Sequence, residues 1–96
     1  MPRPTPLNEQ ELKQALAELP GWSVQFGKLH REFKFKDFSE AFAFMTRAAL
    51  IAEAMNHHPD WSNVWNKVVI ELVTHSAGGI TSLDVEFARR VSQIAR

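Results

Sequence analysis

The fold is decided by Pro59-Asp60-Trp61-Ser62-Asn63-Val64-Trp65-Asn66-Lys67-Val68-Val69-Ile70-Glu71-Leu72-Val73-Thr74-His75. Trp61 to Trp65 reads as a strand and Asn66-Lys67 as a turn. Val68, Ile70, Leu72 and Thr74 then share one face of a second strand. Val69, Glu71, Val73 and His75 share the other. A period of two marks a strand that is covered on one side only. The proline pushes His58 into extended backbone, so a preceding helix must have closed by then.

Similar text occurs earlier in the chain. Pro20, Trp22, Ser23, Lys28 and Glu32 recur 39 positions later as Pro59, Trp61, Ser62, Lys67 and Glu71. Phe26 and Phe33 correspond to Trp65 and Leu72. Shared hairpin chemistry and an internal duplication both account for this echo. The earlier copy also reads as a hairpin. Trp22, Val24 and Phe26 alternate with polar residues, Gly27-Lys28 reads as a two-residue turn, and Leu29, Phe33 and Phe35 share a face opposite His30, Glu32 and Lys34. Arg31 interrupts that apolar face, which points to a position near a sheet edge.

Helical periodicity fills the spaces between and around the hairpins. Asn8 with Glu11 has the spacing of a capping box, and Leu12, Leu16 and Leu19 form a stripe that ends at Pro20-Gly21. Asp37 with Glu40 opens a second helix. It carries two adjacent stripes, Phe38, Phe42, Met45, Ala49 and Ala52 beside Phe44, Ala48, Ile51 and Met55. So wide an apolar surface predicts cover from both a sheet and a partner subunit. Thr81 with Asp84 caps a last helix with the stripe Leu83, Phe87, Val91 and Ile94. The order α-β-β-α-β-β-α predicts an α+β fold: a four-stranded antiparallel sheet with three helices packed on one face. Residues 1–7, with three prolines among the first six, read as an extended arm, and residues 8–96 as a single domain.

Composition narrows the function. Eleven basic residues balance eleven acidic ones, which argues against a nucleic-acid binder. No apolar run is long enough to span a membrane. The absence of cysteine removes disulfides, thiolate metal sites and a cysteine nucleophile, and it suits a reducing cytoplasm. Chemistry concentrates between Glu53 and Asp84, where three of the four histidines lie. Glu53 and His57 are four apart on what reads as the last helical turn, so they are expected as neighbours. A carboxylate there, with the negative end of the helix dipole, would favour a charged imidazole. If the last strand pairs back through its turn, His57, His58 and His75 converge on one pocket, with groups suited to moving protons near neutral pH. Three histidines and a carboxylate also suggest a metal site, although the spacing lacks the usual zinc signature. Trp22, Trp61 and Trp65 read as core and sheet packing. Trp61 can alternatively stack on a flat ring.

Glu53-x-x-x-His57-His58-Pro59, followed by Trp65, His75 and Asp84, resembles the signature of the pterin-4a-carbinolamine dehydratases. The likeness extends through Asn56 to Val68, through Thr74-His75 and Gly78-Gly79-Ile80-Thr81, and back to Pro20-Gly21-Trp22 and Phe33 to Phe38. It covers nearly the whole chain from Leu7. Trp65 stands where the family often has tyrosine, and Ala77 occupies a position that varies.

The resemblance implies loss of water from a 4a-hydroxytetrahydropterin, giving quinonoid dihydropterin. The pterin is then the substrate, and no metal or other cofactor is called for. It implies a functional link to an aromatic amino acid hydroxylase, and a homodimer or homotetramer formed through sheet edges or helices. It assigns catalysis to His57, His58 and His75. Within that set the local reading takes His57, aided by Glu53, as the acid and His75 as the base, with His58 holding the ring. Pro59, Trp61, Thr74, Ser76 and Ala77 complete the expected pterin seat. Asp84 is expected either to cap its helix or to orient His75. A protein-binding module with a vestigial pocket is the alternative on the same fold. It would be marked by loss of a pocket histidine, and none is lost.

Overall fold

In a computed structural model, which describes residues 4–95, the elements follow the order read from the sequence. They are α1 (Glu9–Ala17), β1 (Ser23–Gln25), β2 (Lys28–Lys34), α2 (Phe38–Met55), β3 (Asp60–Val64), β4 (Lys67–Leu72), a 3-10 turn (His75–Ala77) and α3 (Ser82–Ile94). Each long helix begins at its expected cap. Asn8 and Thr81 form full capping boxes with Glu11 and Asp84, and the Asp37 side chain accepts from the Glu40 N–H. Of the expected arm, residues 1–3 lie outside the described residues. Pro4 to Leu7 has no regular structure, and the Leu7 N–H donates to the Ile80 carbonyl at 2.8 Å.

All four strands are antiparallel, in the spatial order β1-β2-β4-β3. Leu29 and Phe33 of β2 with Val68, Ile70 and Leu72 of β4 face the helices and are buried. They meet Phe44, Ala48 and Ala52 of α2 and Phe87, Ala88 and Val91 of α3. α1 buries no residue fully and packs Leu12 and Leu16 on the edge of this core. The opposite sheet face carries Lys28, His30, Glu32, Lys67 and Glu71, and His30 Nδ1 lies 3.1 Å from Glu71 Oε2.

The central ladder obeys the sequence echo. Leu29 pairs with Leu72 and Phe33 with Val68, while Arg31 faces Ile70, its own counterpart 39 positions on. The two hairpins are thus related by a pseudo-two-fold through the Arg31–Ile70 pair. Arg31 accordingly lies on a central strand and not near an edge. It is tolerated there because its guanidinium stacks on Phe33, 4.2 Å from the ring centre.

Both turns sit one residue earlier than the sequence suggests. Gln25 pairs with Lys28 and Val64 with Lys67, so the turns are Phe26-Gly27 and Trp65-Asn66. The lysines belong to the ladder. Phe26 has φ 53° and Trp65 φ 49°, left-handed values that bulky residues avoid. The alternation Trp22, Val24, Phe26 therefore buries only Trp22, and Phe26 is 99% exposed. Trp65, expected in sheet packing, is exposed too. Gly27 follows at φ 77°, so an Asn-Gly turn fits this hairpin better than Phe-Gly. Phe26→Asn is expected to stabilise the protein by about 1 kcal/mol. Thermal unfolding should then shift upward by roughly 4–8 °C. An unchanged midpoint would show that the turn carries no strain.

Candidate active site

The site is built where α2 ends, β3 begins and β4 runs into α3. Asn56 terminates α2 in a left-handed conformation, φ 51°, and the His57 N–H donates to the Ala52 carbonyl at 3.0 Å. Asparagine is one of the few residues that accepts this geometry readily. The chain reverses here instead of completing another helical turn, so Glu53 and His57 lose the i, i+4 relation. This corrects the expected Glu53–His57 pair. Glu53 Oε1 instead lies 3.1 Å from His58 Nε2, on the exposed side.

His57 turns inward and is only 8% exposed. Its Nε2 lies 2.5 Å from Oδ1 of the fully buried Asp84. Asp84 Oδ2 accepts from the Thr74 hydroxyl at 2.9 Å and from the Thr81 N–H at 2.8 Å. An ionised carboxylate only accepts, so the proton on the His57 ring faces Asp84 at Nε2, and Nδ1 is the nitrogen turned away from that carboxylate. Thr74 gives its single hydroxyl proton to Asp84, so in the 2.7 Å contact with Thr81 it is Thr81 Oγ1 that donates. Thr81 Oγ1 also accepts from the Leu83 N–H at 3.2 Å. Among the described residues no buried side-chain polar atom is left without a partner. Asp84 is thus both the cap of α3 and the partner of His57. It does not meet His75, which removes the second expected role.

β4 ends at Leu72, short of the reading that ran it to His75. Thr74 forms an isolated bridge with Gly79, and His75 opens the 3-10 turn that Gly78 closes at φ 77°. Thr74 is buried with every polar group engaged: its N–H donates to the Gly79 carbonyl and its carbonyl accepts from Ala77 and Gly78. It shapes the site and has nothing left to offer a ligand directly. Ala77 likewise has its N–H tied to Thr74, which leaves its carbonyl. Ser76 is exposed beside it and Pro59 half-buried. Trp61 pairs opposite buried Ile70 and packs on the core, so it faces the helix side of β3.

His75 is 77% exposed, and its Nε2 lies 3.7 Å from Asp60 Oδ2, which also takes the Lys28 ammonium at 3.0 Å. Asp60 and Lys28 are contributors that the sequence reading did not single out. Their signal was the position of Asp60 directly after His58-Pro59. The same carboxylate borders a cleft of about 210 Å³ with Trp61, Ser62, Val69 and Glu71. The chain path His57-His58-Pro59-Asp60, the hydrogen bonds Thr74–Asp84–His57 and the longer Asp60–His75 contact gather the three histidines around one corner of the sheet. Among the described residues no three histidine or carboxylate side chains converge as metal ligands do. No helix there is long and apolar enough to cross a membrane. One buried imidazole–carboxylate pair thus lies beside two exposed imidazoles, side chains of a type that can donate and accept protons near neutral pH.

The model of the family described as Pterin 4 alpha carbinolamine dehydratase matches residues 5–94. A Solibacter usitatus protein, whose name proposes a pterin-4-alpha-carbinolamine dehydratase, is 56% identical over 91 residues, 95% of this chain and 96% of its own. A Synechococcus protein (strain WH7803), with a name that proposes the same activity, is 62% identical over 76 residues, 79% of this chain and 82% of its own. The crystal structure of a transcriptional coactivator/pterin dehydratase from Brucella melitensis superposes with a TM-score of 0.93 at 48% identity, covering 96% of this chain and all of that one. A pterin dehydratase-like protein identified as a RuBisCO assembly factor in the alpha-carboxysome shares the fold at a TM-score of 0.64 and 24% identity, over 77% of this chain and 86% of its own.

Proposed function

Because this chain belongs to the pterin 4 alpha carbinolamine dehydratase family, and is thereby a hydro-lyase, we propose that it dehydrates a 4a-hydroxytetrahydropterin by histidine acid–base chemistry. The observation that carries the mechanism is the buried His57–Asp84 pair, tied through Thr74 to the turn that presents His75. His57 gives a proton from Nδ1 to the C4a hydroxyl, which leaves as water with the C–O bonding pair. His75 takes the N5 proton. The N5–H bonding pair becomes the second bond of C4a=N5. Asp84 holds the His57 ring and offsets its positive charge while it carries the proton, the role a carboxylate plays behind a catalytic imidazole. Two protons move and no electron leaves the pterin, so the reaction calls for no redox cofactor.

His58, oriented by Glu53, binds the ring, and Pro59, Trp61, Ser76 and Ala77 frame it. We place the reaction in the cytoplasm, regenerating the pterin consumed by an aromatic amino acid hydroxylase. Stopped-flow absorbance of freshly generated 4a-hydroxytetrahydrobiopterin tests the reading. Folded protein is expected to accelerate quinonoid dihydropterin formation well beyond the spontaneous rate. No acceleration would end this proposal and favour the protein-binding alternative.

Self-association belongs to the same reading. The outer stripe of α2 exposes Phe38, Phe42 and Leu50, while Ala41, Phe44, Ala48 and Ala52 form the buried one. β1 and β3 are sheet edges. A homodimer or homotetramer is expected in sedimentation equilibrium, and Phe42→Glu with Leu50→Glu is expected to reduce the assembly. A strictly monomeric wild type would refute it.

A further inference from the structure

A second cleft, of about 340 Å³, lies between the segment after α1, the centre of β2 and the C-terminal half of α3. Its lining residue Ser92 is eight positions beyond Asp84 on α3, about 12 Å along the helix axis, so it is separate from the histidine corner. We propose that this cleft binds a small organic carboxylate through Arg31.

Arg31 is the anomaly of the sheet. Its pseudo-symmetric counterpart is Ile70, which is fully buried. An arginine has replaced the apolar residue that the repeat and the core would favour. Partial burial lowers its pKa, the sign of a cation held away from water. Yet among the described residues no carboxylate forms an ion pair with it.

The guanidinium is nonetheless held in place. One flat side stacks on Phe33, and Nη1 donates to Ser92 Oγ at 3.2 Å. That hydroxyl also accepts from the Trp22 indole N–H at 2.8 Å and donates to the Ala88 carbonyl at 2.7 Å, so its position is determined. Gly21 closes over Arg31. A Cβ at that glycine would lie 3.0 Å from Nε, and its φ of 88° also favours glycine. Of the five N–H donors of the fork, Ser92 takes one.

The other walls define the ligand. Leu19 and Pro20 supply apolar surface for an organic body. Arg89 reaches the cleft, but its guanidinium is already paired with Glu86. Of the two arginines lining this cleft, Arg31 is therefore the one with no acidic partner among the described residues, and Glu18 stands in the same wall. A planar carboxylate matches the guanidinium fork with two parallel hydrogen bonds. A phosphate dianion would bring a second negative charge toward Glu18 and be repelled. The cleft also falls at the lower end of the size range of small-molecule sites.

Trp22 is a built-in reporter, because its indole N–H shares the Ser92 oxygen with Arg31. Titration of the ¹⁵N-labelled protein with benzoate is expected to shift the Trp22 indole cross-peak saturably. Benzamide, the neutral analogue, should leave it in place, and inorganic phosphate should act several-fold more weakly. Arg31→Gln should abolish the benzoate response. Glu18→Gln, at an exposed position, should tighten benzoate several-fold, and it keeps the test decisive even if Arg31→Gln does not fold. A Trp22 signal indifferent to benzoate, an equal response to benzamide or phosphate, or unchanged benzoate affinity in Glu18→Gln would overturn the proposal.

Discussion

Replacing His57 by Gln and His75 by Ala together is expected to slow dehydration by about 10²–10⁴-fold, the range a positioned acid or base supplies. The two changes test different things. The His75 side chain is largely exposed and lies 3.7 Å from Asp60, so His75→Ala removes a proton acceptor and leaves the core untouched. His57 is buried against Asp84, so truncation to Ala would leave a buried carboxylate short of a donor and confuse lost chemistry with lost folding. Glutamine keeps an N–H for Asp84 and cannot carry a proton to the substrate. Single-turnover rates are to be measured beside circular dichroism and a pH–rate profile. The single variants should each lose most of what the pair loses, because acid and base act in one step. A doubly substituted, folded protein with the wild-type rate and profile would refute this assignment.

Asp84→Ala is expected to lower the unfolding free energy by about 3–5 kcal/mol, because three buried donors lose their acceptor at once. Three donors depend on this carboxylate: His57 Nε2, the Thr74 hydroxyl and the Thr81 N–H. The helix cap and the histidine support fail together, although each is a local interaction. Asp84→Asn separates the contributions. It retains an acceptor and the side-chain shape, so about 1–3 kcal/mol is expected from the remaining mismatch of donors. Urea denaturation measures both. A loss below about 1 kcal/mol for Asp84→Ala would mean that water replaces the carboxylate and that the network is not closed. The dehydration rate of the folded fraction of Asp84→Asn should also fall, because His57 loses the charge behind it.

The element order, the three helix starts and the inward faces of β2 and β4 were legible in the chain. Capping at Asn8, Asp37 and Thr81 spans three residues, and strand alternation spans two, so both are written locally. The residues of the site were legible as a set through the His57-His58-Pro59 and Thr74-His75 text. Their partners were not. Glu53 is close to His57 in sequence, but the left-handed Asn56 breaks the helix between them, and His57 takes Asp84, 27 residues away. The turns moved by one residue because the ladder, a property of two strands together, claimed Lys28 and Lys67. Arg31 reads as a position near an edge because a sequence carries no strand order. Long-range pairing between β2 and β4 put it at the centre, on Phe33 and against Ser92. Short-range hydrogen bonding and periodic burial fixed the elements in the sequence itself. Which imidazole meets which carboxylate, and what surrounds a lone guanidinium, depends on contacts that exist only after the core has closed.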